Sequence, residues 1–230
     1  MARRSTPNQL TIASDVYERL RADILRGILA PGGKLRIEQV CERYGAGNSP
    51  VREALNRLST EGLVERREQR GFYVVAISAA DLDDLVCTRC LLEEAALRQA
   101  MARQDAAWHE GLVVALHRLT RVPRFEPGDA YRENPEWEQA HREFHRALVA
   151  GCGSGRLVRL CLELHDQAYR YRQLAIQDAF PRHRPDEHSA IVECILAGDG
   201  DGAAAALTAH YHRTADLCRR LPGMQESSAG

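Results

Sequence analysis

After a polar start, Val16, Leu20, Ile24 and Ile28 recur every four residues, the period of one buried helix face. Gly27 and then Pro31-Gly32-Gly33 stop that pattern. A short second helix is expected over Glu38 to Tyr44, with Val40, Cys41 and Tyr44 inward, followed by the tight turn Gly45-Ala46-Gly47. The third helix should open at Ser49-Pro50, with Ser49 as N-cap and the proline where its missing N–H costs nothing. Val51, Leu55 and Leu58 are its buried stripe, and Gly62 ends it. Leu63 to Arg66 and Phe72 to Val75 then read as two short strands around the turn Glu68-Gln69-Arg70-Gly71. Three helices followed by a hairpin make a winged helix-turn-helix.

Beyond Ser78 the period is helical: Asp81 to Arg103, Ala106 to Arg121, Trp137 to Gly151, Gly155 to Gln177, Pro185 to Ala197 and Ala203 to Arg220. Pro123 to Pro135, rich in proline, reads as a loop, and Gly198 to Gly202 as a clear break between helices. The expected fold is mainly α: a winged helix-turn-helix over 11–78, then an all-α bundle of six to seven helices over 79–222. Residues 1–10 read as a flexible start and 223–230 as a disordered tail.

Composition narrows the class. No apolar stretch approaches the roughly 18 residues a membrane span needs, and the first residues lack the apolar core of a secretory signal. Seven scattered cysteines suit reduced thiols in a cytoplasmic protein better than a disulfide framework. The net charge of -1 conceals an asymmetry. Residues 1–78 hold 13 Lys and Arg against 9 Asp and Glu, the rest 18 against 23, and all nine histidines lie at or after His109. A basic, His-free front and an acidic, His-rich back suggest two domains with different partners.

On the third helix Arg52, Asn56 and Ser59 share the outward side at i, i+4 and i+7. Hydrogen-bonding side chains near a helix N-terminus are what reading the major groove requires. Pro50-Val51-Arg52-Glu53-Ala54-Leu55, Arg57-Leu58, Gly62-Leu63-Val64 and Arg70-Gly71 follow in order, and with them Val16 to Ile77 resembles the winged helix-turn-helix of GntR-type bacterial transcription factors. The resemblance implies that Arg52 contacts bases or phosphate, that Ser49 contacts phosphate and that Arg70 with Gly71 enters the minor groove. Where the family has Ser-Arg before this motif, the chain has Gly47-Asn48, so Asn48 replaces a base-reading arginine. Arg36, Asn48, Ser49, Arg52, Asn56, Arg57, Arg70 and Gly71 are the candidate contacts to double-stranded DNA.

His141 and His145, four apart, project from one face of the Trp137 helix, and His188 and His210 lie on two later helices. Imidazoles from three helices suit a borderline transition metal, although histidines on helix faces are also commonly capped or core-satisfied. Arg89-Cys-Leu-Leu-Glu93, Phe144-His145, Glu187-His188, Gly198-Asp199 and His210 make residues 81–220 similar to the all-helical FCD effector domain of the FadR subfamily. In its metal-binding members an Asp and three His hold the ion, the Asp four residues before the first His. That position is His141 here, which leaves either a four-histidine site or His141 turned away. The implied metal is Zn²⁺ or Ni²⁺.

Arg89, with Glu93 and Tyr169, is the candidate effector site. A guanidinium on a Leu- and Ala-rich helix suits a carboxylate, the alternative being an ordinary pair with Glu93. The expected protein is a homodimeric regulator of a palindromic operator, responsive to a small organic acid and without enzyme activity. The competing reading is a metal-dependent hydrolase using the histidines. His141-Arg-Glu-Phe-His145 speaks against a zinc protease, because its glutamate adjoins neither histidine.

Overall fold

The computed structural model describes residues 11–126, 128–176, 187–221 and 224. It divides into two compact units, Met1–Ala76 and Ile77–Gly230.

In the first unit, α1 (Ile12–Leu25) starts where Thr11 accepts a hydrogen bond from the Ser14 N–H, and it buries Val16, Tyr17, Leu20, Ile24 and Leu25. Ile28 does not continue this stripe. Gly27, at φ 72°, turns the chain out of the helix and leaves Ile28 52% exposed. The Pro31-Gly32-Gly33 turn returns the chain as a strand that hydrophobic spacing did not predict, β1 (Lys34–Leu35). α2 (Ile37–Tyr44) ends at Gly45, at φ 65°. α3 (Asn48–Thr60) buries Val51, Ala54, Leu55 and Leu58. Its N-cap is Gly47 rather than Ser49, so Pro50 falls two residues later than expected; the first turn still has no intrahelical use for its N–H. β2 (Val64–Arg67) and β3 (Gly71–Val74) form the wing, and the sheet runs β1-β3-β2 with Leu35 opposite Phe72. Gln69 and Gly71 both take positive φ, 56° and 93°, and so close the wing turn.

The second unit contains α4 (Ala79–Arg103), α5 (Ala106–Arg121), α6 (Pro135–Ala150), α7 (Gly155–Ala175), α8 (Glu187–Leu196) and α9 (Gly200–Cys218). Phe144, Leu97, Leu112, Leu148, Ile191, Ile195 and Leu207 are fully buried between them. The expected loop before α6 is instead an antiparallel hairpin of β4 (Phe125–Glu126) and β5 (Asp129–Glu133). Asn134 closes its base, its N–H donating to the Arg124 carbonyl at 2.8 Å and its side chain to the Pro123 carbonyl at 3.1 Å. The glycine-rich break is also shorter than expected. Only Gly198, at φ 75°, and Asp199, at ψ 87°, leave the helical region, and Asp199 caps α9 by accepting from the Gly202 N–H at 2.8 Å. Met224, near the head of the expected tail, is 3% exposed and packs on the core, while the expected flexible start at 1–10 and the rest of that tail lie outside the described residues. No helix among the described residues is long and apolar enough to cross a membrane.

Candidate functional sites

On the first unit, the side of α3 opposite its buried stripe carries Asn48, Ser49, Arg52 and Asn56, all exposed. No side chain caps this helix, so its first N–H groups and positive dipole end are available to a phosphate. Arg70 and Gly71 are exposed at the wing turn, and Arg36, exposed, is the N-cap of α2. Arg57 is different. Its guanidinium lies 3.6 Å from the Tyr17 ring centroid and 3.8 Å from Glu61, to which the Tyr17 hydroxyl donates at 2.6 Å. It is thus held against α1. Sequence reading missed two wing arginines: Arg66, exposed on β2, and Arg67, which lies 4.2 Å over the Tyr73 ring and bonds Glu65. Both adjoin the Arg70 turn, which was the available signal.

The second unit encloses a cavity of about 370 Å³, within the range of small-molecule sites. His141 from α6, His188 from α8, His210 from α9 and Arg89 from α4 line it. With His145, one turn from His141, the four histidines offer nitrogens that all lie within 4.8 Å of one another. Nε2 of His141 and Nε2 of His145 are 3.1 Å apart. His165 on α7 joins the cluster, its ring centroid 4.9 Å from that of His145 and 5.3 Å from that of His141.

Burial is the main reason that His141, His145 and His165 are held well below the usual imidazole range. Arg172 adds to this at His141 and His165, and neighbouring imidazoles with Arg89 add to it at His145. These rings are neutral at physiological pH and keep a lone pair. Buried nitrogens Nδ1 of His141 and Nδ1 of His165 have no hydrogen-bond partner. Glu187 accepts from the His210 Nδ1–H at 2.7 Å and so fixes the orientation of that ring. A neutral, nitrogen-rich, buried donor set fits a divalent transition metal.

Arg89 donates from Nε to Glu93 at 2.8 Å, and its guanidinium lies 3.9 Å from the Tyr211 ring centroid. Tyr211 in turn donates to Glu93 and stands 3.3 Å from His145 Nδ1. The pairing with Glu93 is therefore real, yet Arg89 Nη2 remains buried without a partner. Tyr169 is half-buried, with Arg172 5.3 Å over its ring, and Tyr171 rather than Tyr169 lines the cavity. Sequence reading missed Arg172, Glu138 and the ligand potential of His165. The signal was there: Cys161, His165, Ala168, Arg172 and Ala175 form one buried stripe of α7, and a charge on a buried stripe needs a partner. Glu143, between the two α6 histidines, pairs with Arg146 at 2.8 Å on the surface and is no base for them. Cys87 and Cys90 are free thiols on α4.

Known proteins agree with both units. Residues 12–74 match the family described as "Bacterial regulatory proteins, gntR family", and residues 84–213 match the "FCD domain". The chain is 35% identical to the "Uncharacterized HTH-type transcriptional regulator BphR" of Paraburkholderia xenovorans (strain LB400), over 94% of this chain and 97% of that one. It is 32% identical to the "HTH-type transcriptional repressor GlaR" of Escherichia coli (strain K12), over 96% and 100%. A putative transcriptional regulator GntR from Rhodococcus sp. RHA1 shares the fold, with a TM-score of 0.70 at 23% identity, covering 91% of this chain and 99% of that one.

Proposed function

Because the chain belongs to the gntR family of bacterial regulatory proteins and carries an FCD domain, we propose that this transcription regulator is a metal-assisted, ligand-responsive repressor of the FadR type. It works as a homodimer in the cytoplasm, on a palindromic operator whose half-sites mirror its two-fold symmetry. Asn48, Ser49, Arg52 and Asn56 on α3, with Arg70 and Gly71 on the wing, carry the DNA contacts. Its relatives are transcription regulators, not enzymes, and so is this chain.

One observation carries the ligand reading. A cavity of about 370 Å³ brings neutral imidazoles together with a buried guanidinium that has an unused N–H. His141, His145, His188 and His210 would hold a Zn²⁺ or Ni²⁺ ion, and such an ion would supply positive charge for a carboxylate to bind. Arg89 Nη2 offers a second donor to the same carboxylate, while Trp137, Leu82 and Val86 give the cavity an apolar wall. A small organic acid bound there shifts operator affinity only as far as it prefers one conformation of the dimer.

A fragment from upstream of the protein's own coding region should be retarded at nanomolar protein, and a screen of organic acids with Zn²⁺ or Ni²⁺ present should find one that releases it. Arg52→Ala is expected to cost about 1–3 kcal/mol of specific binding. Wild-type operator affinity in that variant at physiological salt would displace Arg52 from the interface. Gently purified protein should contain about one divalent transition metal per chain, lost toward pH 5 as the unfolded chain takes up protons that the buried imidazoles refuse and the fold that holds the ion gives way. Elemental analysis finding none, with no thermal shift on adding Zn²⁺ or Ni²⁺, would end the metal reading.

A further inference from the structure

Glu138 stands one turn ahead of His141 on α6, with its side chain 12% exposed. Arg172 from α7 grips it: Nη2 donates to Oε1 at 2.8 Å and to Oε2 at 2.7 Å. Two imidazoles face the same carboxylate. His165 Nε2 is 3.3 Å from Oε1, and His141 Nδ1 is 3.6 Å from Oε2. The other nitrogen of His141, Nε2, stands 3.1 Å from His145 Nε2, in the group completed by His188 and His210. One ring thus divides two environments, with imidazoles on its Nε2 side and a carboxylate on its Nδ1 side. Trp137, stacked on that ring at 4.6 Å and 14°, fixes its plane.

The proton decides which nitrogen can bind an ion. A neutral imidazole has one N–H and one lone pair, and a ligating ring must keep its proton on the other nitrogen, ideally against an acceptor. A carboxylate beyond Nδ1 therefore directs the lone pair to Nε2. It also answers a charge problem, because four neutral imidazoles bring no negative charge to a buried divalent ion.

Building on the metal reading above, we infer that Glu138, clamped by Arg172, is the positioning residue for His141. Its carboxylate, 3.6 Å from Nδ1, favours the proton on that nitrogen electrostatically, so that the Nε2 lone pair faces the other three imidazoles, and it supplies negative charge beside the ring. The same atoms could instead form a second metal subsite of Glu138, His141 and His165. That use would set a second cation beside the Arg172 guanidinium, which already occupies both carboxylate oxygens.

The test is metal affinity of the full chain, read by competition with a chromophoric chelator for Zn²⁺ and Ni²⁺ and by ion count. Glu138→Gln should weaken binding about 10- to 100-fold with the count unchanged at about one. In a His141→Asp background the ligand carries its own charge and has no second nitrogen to orient. There the same substitution should change affinity less than about threefold. General damage would weaken both backgrounds alike. If Glu138→Gln fails to fold because Arg172 is left buried and unpaired, Glu138→Gln with Arg172→Met removes both charges and carries the same comparison. Equal affinity in wild type and variant, or equal losses in both backgrounds, overturns the inference and leaves the metal reading intact. Two ions per wild-type chain overturn it in favour of the second subsite. No ion bound by the wild type removes the metal reading and this inference together.

Discussion

Replacing Arg89 with alanine should lower the stability of the helical unit by about 3–5 kcal/mol, because it breaks a buried ion pair from one side. The Arg89 and Glu93 side chains are 5% and 1% exposed. Without the guanidinium, the Glu93 carboxylate stays buried with Tyr211 as its neighbouring donor. Burial opposes the charge on Arg89, but Glu93 and Tyr211 outweigh it and raise its pKa, so the charge is held firmly. The same unit contains its own control. Arg98 and Glu94 form a pair of the same length with side chains 45% and 39% exposed, and Arg98→Ala should leave the unfolding midpoint close to that of the wild type. Urea unfolding of the two variants measures the difference. Arg89→Lys keeps a cation but not the planar fork, so it should fold and still respond poorly to an organic acid. Similar losses for Arg89→Ala and Arg98→Ala would mean that the Arg89 pair is solvated after all.

Acidification should have the other large effect. In metal-free protein, buried His141, His145 and His165 resist protonation, while in the unfolded chain each titrates near its ordinary value of about 6.5. Below that pH the unfolded state binds protons the folded state refuses, so stability rises with pH and is lost as pH falls. Each ring contributes up to about 1.4 kcal/mol per pH unit, and three reach about 4 kcal/mol per unit. Above about pH 7 these rings contribute no slope. Glu133 and Glu138 act in the opposite sense: burial raises their pKa, so the folded state takes up their protons first and blunts the fall at lower pH. Urea unfolding in chelator at pH 7.5, 6.5 and 5.5 should show a plateau and then a steep loss. A flat profile over that range would mean that the imidazoles are protonated freely in the fold.

Much of this protein could be read along the chain, because helix period and turn chemistry are local. The stripe Val51, Leu55 and Leu58 marked α3 and left Arg52 and Asn56 on its opposite face. The four-residue spacing of His141 and His145 put both rings on one side of α6 before any partner was known. Local rules failed where a long-range contact decided the outcome. β1 exists only because β3 is there to pair with it, and the hairpin before α6 closes through the Asn134 and Arg124 contacts. Met224 packs only because a core is there to receive it.

The site divides in the same way. Periodicity says which face a residue occupies, but not which faces meet. Arg89–Glu93 and Arg98–Glu94 have identical spacing on one helix, and only packing buried the first and left the second in water. Tyr169 was the expected effector residue, yet the phase of α7 against its neighbours put Tyr171 in the cavity. His165 and Arg172, on one face of α7, stand 27 and 34 residues along the chain from Glu138, and only tertiary packing made the three a single network. Chain order determined the helices and the exposed polar face of α3; the meeting of α4, α6, α7, α8 and α9 decided what surrounds the histidines, because a side chain's chemistry depends on the neighbours that exclude water from it.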